Sequence, residues 1–444
     1  MKRALVALCL VLIAASAWAF DAGGYIDNVT GIADAPVGVD SSIVLIEKAS
    51  LGAWMLVPMG GWQLDVQGSY TFTPAIPLLV DLERFALSGS FSAEAAGASS
   101  VRAAIGRSDF SDPTGIILNH TLDGIQLTTN WPRSMISIGV GTTALVQKPT
   151  NSIVLSTLDV LDLADAALLF APPRLIATVE FRTLDLIAGQ ALTLGAVVQE
   201  DFRPVDQLTP AGTEVMDPVA GGRFDTQHLI LQLSGSLAPG FYQRTFYAVN
   251  TGRTLAYLAD DDSFTGYSYQ YGMILGHMAG IELTLFMPET LNSRLRVAGL
   301  FSTGDEDADS YFDGNTAGTA SAFVPLTPTD FTDVFTLQPG NSSHVGVSYS
   351  MRPFSGAGDV LQAELTAVAY LRTAGTGPVS EPSVDPATSG SYVGSDIELS
   401  LMVQPLSDLR FVLAGGVFVP NASVMSADNE NVDYQVTLQG VLRF

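Results

Sequence analysis

The side chains that most often carry catalysis or bind metal are scattered along this chain. His120, His228, His277 and His344 stand far apart, without the short spacing that places two imidazoles on one ion. No HExxH or GxSxG pattern occurs, so no residue is marked as base of a bound water or as activated serine. A Ser/His/carboxylate site assembled from distant strands would leave no such local trace, and no nucleophile stands out. The acidic run GDEDADSYFDGN, Gly304 to Asn315, offers Asp305, Asp307 and Asp309 as hard oxygen donors for calcium. Its order is not that of an EF-hand and its closing glutamate is missing, which favours a solvated external loop. Asp260-Asp261-Asp262 raises the same weaker expectation. The chain therefore reads as non-enzymatic, with no cofactor.

Arginine carries more information. Arg102, Arg182, Arg294, Arg296, Arg372, Arg410 and Arg443 are charged at any ordinary pH and lie in segments of alternating polarity. Gathered at one height they would attract an anionic solute and orient its carboxylate or phosphate. The alternative is local pairing, Arg182 with Glu180 and Arg294 or Arg296 with Glu282. Glu364, Asp396 and Glu398 occupy the same kind of polar row.

The elements that position these charges are strands. In Val432–Phe444, Tyr434, Val436, Leu438, Gly440, Leu442 and Phe444 share one side, while Asp433, Gln435, Thr437, Gln439, Val441 and Arg443 lie on the other. One side suits lipid and the other water, the pattern of a transmembrane β-strand. The row Gln63, Asp65, Gln67, Ser69 and Thr71 opposes Leu64, Val66, Tyr70 and Phe72 in the same way. A charge on the lipid row near the midplane would cost roughly 2 to 4 kcal/mol, so the charged rows face inward. A periplasmic sandwich would give the same period, with its apolar row packed inward instead.

Met1-Lys2-Arg3, the apolar Ala4–Ala15 and the small-x-small Ala17-Trp18-Ala19 predict a secretory leader over 1–19 and a barrel over 20–444. The only cysteine, Cys9, falls within that leader. Beyond it, 18 basic residues face 45 acidic ones, a formal charge of −27 that argues against nucleic acid as a partner. Segments joined by alternately short and long connections give up-strands near 22–32, 62–72, 100–107, 134–141, 190–198, 240–250, 293–302, 360–372 and 408–419. Down-strands fall near 41–57, 83–94, 123–130, 174–183, 225–237, 265–287, 344–352, 392–404 and 432–444. The reading is an all-β transmembrane antiparallel barrel of about 18 strands, with 16 as the alternative count. Residues 265–287 keep one alternation throughout and predict a single long strand. Residues 142–173 form a long connection whose Leu155–Phe170 stretch predicts a short amphipathic helix stopped by Pro172-Pro173, folded into the lumen or capping its mouth.

The alternation and terminal phenylalanine resemble bacterial outer-membrane porins. Gly106–Leu127 and Tyr392–Pro420 further resemble the alginate-export-like group of 18-stranded barrels. The resemblance implies an outer-membrane location, contact with its lipid and assembly machinery, and passive passage of a small hydrophilic or anionic solute such as a saccharide. It also offers Arg102, Arg107 and Arg182 as basic positions, with Arg107 on the opposite parity from Arg102. A non-conducting structural or adhesion barrel, binding partners through Pro204–Arg223, Gly304–Ser343 or Thr373–Ser391, is the reading from another class.

Overall fold

The computed structural model describes residues 20–34, 43–93, 97–203, 223–259, 267–308, 310–312, 318–354, 360–426 and 429–444. The expected leader, 1–19, lies outside them. The chain runs through β1 (Asp21–Asp34), β2 (Ile43–Met59), β3 (Trp62–Phe72), β4 (Leu79–Ala93), β5 (Ala98–Ser111) and β6 (Asn119–Asn130). It continues with β7 (Ser134–Thr142), helix α1 (Thr157–Ala164), β8 (Arg174–Ile187), β9 (Gln190–Asp201), β10 (Phe224–Ala238), β11 (Phe241–Ala259) and β12 (Tyr267–Met287). The last third holds β13 (Ser293–Ser302), the two-residue β14 (Thr319–Ala320), β15 (Ser342–Met351), β16 (Leu361–Arg372), β17 (Tyr392–Leu406), β18 (Leu409–Pro420) and β19 (Asp433–Arg443).

Each long strand pairs antiparallel with its sequence neighbours, and β1 pairs with β19 from Tyr25–Arg443 to Ala33–Gln435. Two further bonds extend the seam: Gly24 N–H donates to Phe444 O at 2.7 Å and Phe444 N–H to Gly24 O at 3.0 Å. The sheet is thereby closed, its first and last strands joined. All eighteen long strands fall where alternation predicts them. β14 only lies parallel along β12, at Met273–Thr319 and Ile274–Ala320. The 265–287 segment is one strand, with Met273 and Leu275 exposed and Ile274 and Met278 fully buried. Its lower part pairs with β13 from Met278 to Met287, so its upper part stands above the end of β13.

The upper lumen is filled by loops. The β13–β15 connection folds inward: Leu326 and Thr327 N–H both donate to Ile117 O, at 2.8 and 3.2 Å, and Asn119 N–H donates to Thr327 Oγ1 at 2.9 Å. Phe323 and Leu326 are buried there with Phe110, Ile117, Leu118, Ile230, Met278 and Leu300. This strap crosses from one side of the barrel to the other. Phe335 stacks flat on Phe418, 3.8 Å between ring centres, in a second cluster with Leu337 and Tyr370. The expectation of a long external polar loop here is corrected: its second half is a hydrophobic plug.

The β7–β8 connection divides its leucines. Ile153 and Leu155 enter the lumen core, while Leu161, Leu168, Leu169 and Phe170 stay exposed. α1 is shorter than the apolar run predicts. Ser156 caps it, and Asp159 returns to accept from Ser156 N–H at 3.0 Å, fixing its start, while Asp165 is already extended. Asp159 is also the hub of a buried ionic cluster, bound by Arg174 at 2.7 Å and Arg203 at 2.8 Å, and both arginines reach Asp201 as well. Arg174 and Asp201 are a cross-strand pair of β8 and β9, so the loop is bolted to the wall. Replacing Asp159 with alanine leaves two buried arginines sharing the buried Asp201 and should cost roughly 3 to 5 kcal/mol. The temperature at which the folded gel band converts to the unfolded one should fall, and Arg174→Met added to Asp159→Ala should recover part of the loss.

Candidate functional site: the charged lumen

Cross-strand register fixes which residues share the inner face. Thr284 of β12 pairs with Arg296, and Glu282 pairs with Arg244 of β11, whose row also holds Phe246, Ala248 and Asn250. These last are buried against the plug, so Glu282, Arg244 and Arg296 face the lumen below it. Glu282 Oε2 receives both arginines, Arg244 at 3.2 Å and Arg296 at 2.9 Å. Arg294 reaches Glu364 of β16 at 3.4 Å instead. The local-pairing expectation thus holds for Arg296 and not for Arg294. All five groups are partly solvated, which leaves the pairs weak and exchangeable. A cavity of about 90 Å³ lies above them, roofed by Ile116 and Phe331 from the loops and bounded by His344 and Val368.

Arg102 faces a second, polar cavity of about 190 Å³ with Asp65, Arg84, Ser88, Ser108, Gln126 and Thr128. Arg84 bonds to Asp65 and Asp109, while Arg102 makes no ion pair among the described residues. Arg182 is exposed on the inner row of β8, and the expected Arg182–Glu180 pair does not close. Glu180 lines a further polar recess with Ser137, Gly139 and Thr178. Arg410 and Arg443 lie beside the short-turn end, at Arg410–Val441 and Tyr25–Arg443. The described Arg410 has a buried Nε without a hydrogen-bond partner.

Four candidates are not free lining groups. Arg107 is 7 % exposed, donating to both oxygens of Asp123 at 3.0 and 2.7 Å and to the carbonyls of Leu82 and Leu145. Arg372 is 1 % exposed and donates to Gly377 O, Asp385 O, Thr388 O and Gly390 O, so it templates the β16–β17 loop. Asp396 is fully buried, accepting from Thr332 Oγ1 and Phe335 N–H at 3.1 Å each, and Glu398 accepts from Asp333 N–H at 3.1 Å. These two carboxylates satisfy the backbone of the plug. Alternation cannot distinguish a strand charge meeting water from one meeting a folded-in loop.

Alternation also hid several participants. Arg244 sits among Tyr242, Phe246 and Ala248, so its inner row reads as apolar. Arg84 follows a bulge at Glu83, where the β3–β4 register shifts and parity is lost. Arg203 lies two residues beyond the end of β9, where no period marks it. His277 lies on the outer row, hydrogen-bonded to Tyr247 at 2.7 Å as an aromatic band would hold it.

The calcium candidates are partly described. Asp309 and Asp260-Asp261-Asp262 lie outside the described residues, and among those described no group of three or more ligating side chains gathers. Asp305 instead accepts from Ser321 N–H at 2.7 Å, pinning the start of the plug loop. Burial, reinforced by a hydrogen bond with the Asp307 side chain, pushes the Asp305 carboxyl up to about 6.

No family model matches the chain, and no curated protein does. Solved structures match over nearly all of it. OccAB2 of Acinetobacter baumannii is 9% identical with a TM-score of 0.56, covering 96% of this chain and 98% of its own. OpdQ of Pseudomonas aeruginosa is 11% identical at 0.55, covering 96% and 97%. OpdK of the same organism, solved with vanillate, is 11% identical at 0.53, covering 96% and 98%. At such identities the likeness shows the fold alone: a porin-type barrel of eighteen strands. The likeness is with Occ and Opd barrels and not specifically with the alginate-export group. A closed barrel with an apolar outer belt is an outer-membrane architecture.

Because the folded state holds the Asp305 proton more tightly than an ordinary carboxyl of 3.8, its contribution to loop stability falls as pH rises from that value through about 6. Amide exchange at Asp307 and Ser321, corrected for the intrinsic rate, should be slower at pH 5 than at pH 7. Asp305→Asn should remove the difference.

Proposed function

We propose that the barrel is a passive outer-membrane channel for small hydrophilic solutes, with preference for anions. The observation that carries this reading is the charge of the inner face near the short-turn ends of the strands. Arg84, Arg102, Arg182, Arg244, Arg294, Arg296, Arg410 and Arg443 are set there among the carboxylates Asp27, Asp65, Glu83, Asp109, Glu180, Glu282 and Glu364, and Arg102 and Arg182 close no ion pair among the described residues. Most of the chain's acids lie elsewhere, so the inner face is nearly balanced in charge and far less acidic than the chain as a whole, and its uncompensated arginines can favour an anion. A carboxylate is the class of solute that fixed guanidinium forks suit, and OpdK was solved with vanillate. Arg107, Arg372, Asp396 and Glu398 have no part in this lining.

The non-conducting reading draws on a different observation, the apolar plug that fills the upper lumen. The plug nonetheless leaves a polar cavity at Arg102 and, beneath Phe331, a largely apolar one whose wall carries Arg244, Glu282 and Arg296.

Purified barrel inserted in a planar bilayer should conduct, with a reversal potential in a salt gradient that indicates anion preference. Arg294→Gln with Arg296→Gln should shift that potential toward cations, since Glu282 and Glu364 each lose a partner. Folded barrels without conductance would defeat the channel reading. An unchanged potential in the double variant would remove these two residues from selectivity.

A further inference from the structure

The wall is incomplete between β4 and β5. Their backbone pairing runs from Ala93–Ala98 up to Phe85–Arg107 and stops there, although β4 extends upward to Leu79 and β5 to Ser111. Above that rung β4 pairs only with β3 and β5 only with β6. Two irregularities set the split: the bulge at Glu83, and Gly106, whose φ of +119° at the last rungs brings it against the Phe85 carbonyl, where a Cβ would not fit.

Side chains replace the missing ladder. Arg107 Nη1 donates to Leu82 O at 2.9 Å, and Gln147 Nε2 donates to Val80 O at 2.8 Å. Arg107 Nη2 binds Leu145 O at 2.7 Å, drawing residues 144–148 of the β7–β8 loop across the gap. Asp81 stands 3.9 Å from Arg107, and its buried Oδ1 has no hydrogen-bond partner among the described residues. The latch is therefore held by a few side-chain bonds with one acceptor unmet, where a regular wall would have continuous backbone pairing.

The two sides of the gap differ. Its inner side, at Arg84, Ser108 and Asp109, borders the polar cavity that also holds the unpaired Arg102. Its outer rim is apolar and exposed: Val80, Leu82 and Phe85 on the strand, Leu145, Leu169 and Phe170 on the loop. The Gln147–Val80 and Arg107–Leu145 bonds make the loop residues continuous with the lipid-facing belt.

We propose that this notch is a lateral portal for a single-chain carboxylate amphiphile. The head group would be received by Arg102 in the lumen cavity, the hydrocarbon chain would lie through the apolar rim toward the outer leaflet, and the Arg107 latch with residues 144–148 closes the way. Two classes of surface meet at one breach in the wall, which a solute confined to water would not require.

Because Cys9 is the only native cysteine, Val80→Cys with Leu145→Cys can be bridged by a bis-maleimide carrying a cleavable disulfide. Decanoate uptake by intact cells producing the barrel is the probe, alongside bilayer conductance of the same protein. Uptake should fall to the background of cells lacking the barrel when bridged and return on reduction, while conductance persists in both states. Arg107→Met, if it assembles, should raise uptake above that of the parent. Uptake unaffected by the bridge overturns the portal and leaves the channel reading untouched. Loss of conductance together with uptake also overturns it, since the notch would then not be a separate route.

Discussion

A backbone that crosses hydrocarbon has no water to bond with, and every N–H and C=O in the crossing must be paired within the protein. This chain meets the requirement by bringing its last strand back to its first, and the small residues at Gly23 and Gly24 let Phe444 dock at the seam. Everything else follows from the size of the ring that closes. Eighteen strands enclose more space than their inward side chains can fill, which leaves room for water and for a second structure of loops inside the first.

That second structure obeys soluble-protein rules within a membrane protein. Its core is aliphatic and aromatic, its buried charges are paired or hydrogen-bonded to backbone, and its loops are capped by strand side chains such as Asp396 and Arg372. Burial of one large apolar side chain is worth about 1.5 to 3 kcal/mol, and the strap alone commits Phe323 and Leu326. The lumen is consequently divided by chemistry along its axis. An apolar, packed region lies toward the long loops, and a wet, arginine-rich one lies toward the short turns.

The wall was legible because lipid imposes a strict rule on alternate residues: Trp62–Phe72 and Ser293–Ser302 begin and end where alternation predicts. The interior was less so. Ile230, Ala248, Ile274 and Met278 occupy inner positions and are apolar, which blurs the polar row wherever a loop packs on it. Nothing in the periodicity near Leu326 reveals that its partner is Ile117, because that pairing depends on where two distant connections meet in space. Arg372 and Arg296 look alike along their strands, yet one meets backbone carbonyls and the other a partly solvated carboxylate. The charge on a strand was readable; its surroundings were set by loops that carry no period.

The strap joins residues more than two hundred positions apart, Thr327 to Asn119 and Thr329 to Ile116. A contact of such sequence separation carries a large loop-closure entropy unless the intervening chain is already ordered. Here the ordering is supplied by β6 to β13, which must curl through nearly half the circumference before the two connections face each other. The strap is thus a late event in folding, made only across a wall that already exists. A half-assembled barrel would hold Phe323 and Leu326 uncovered, and completion of the wall is what hides them.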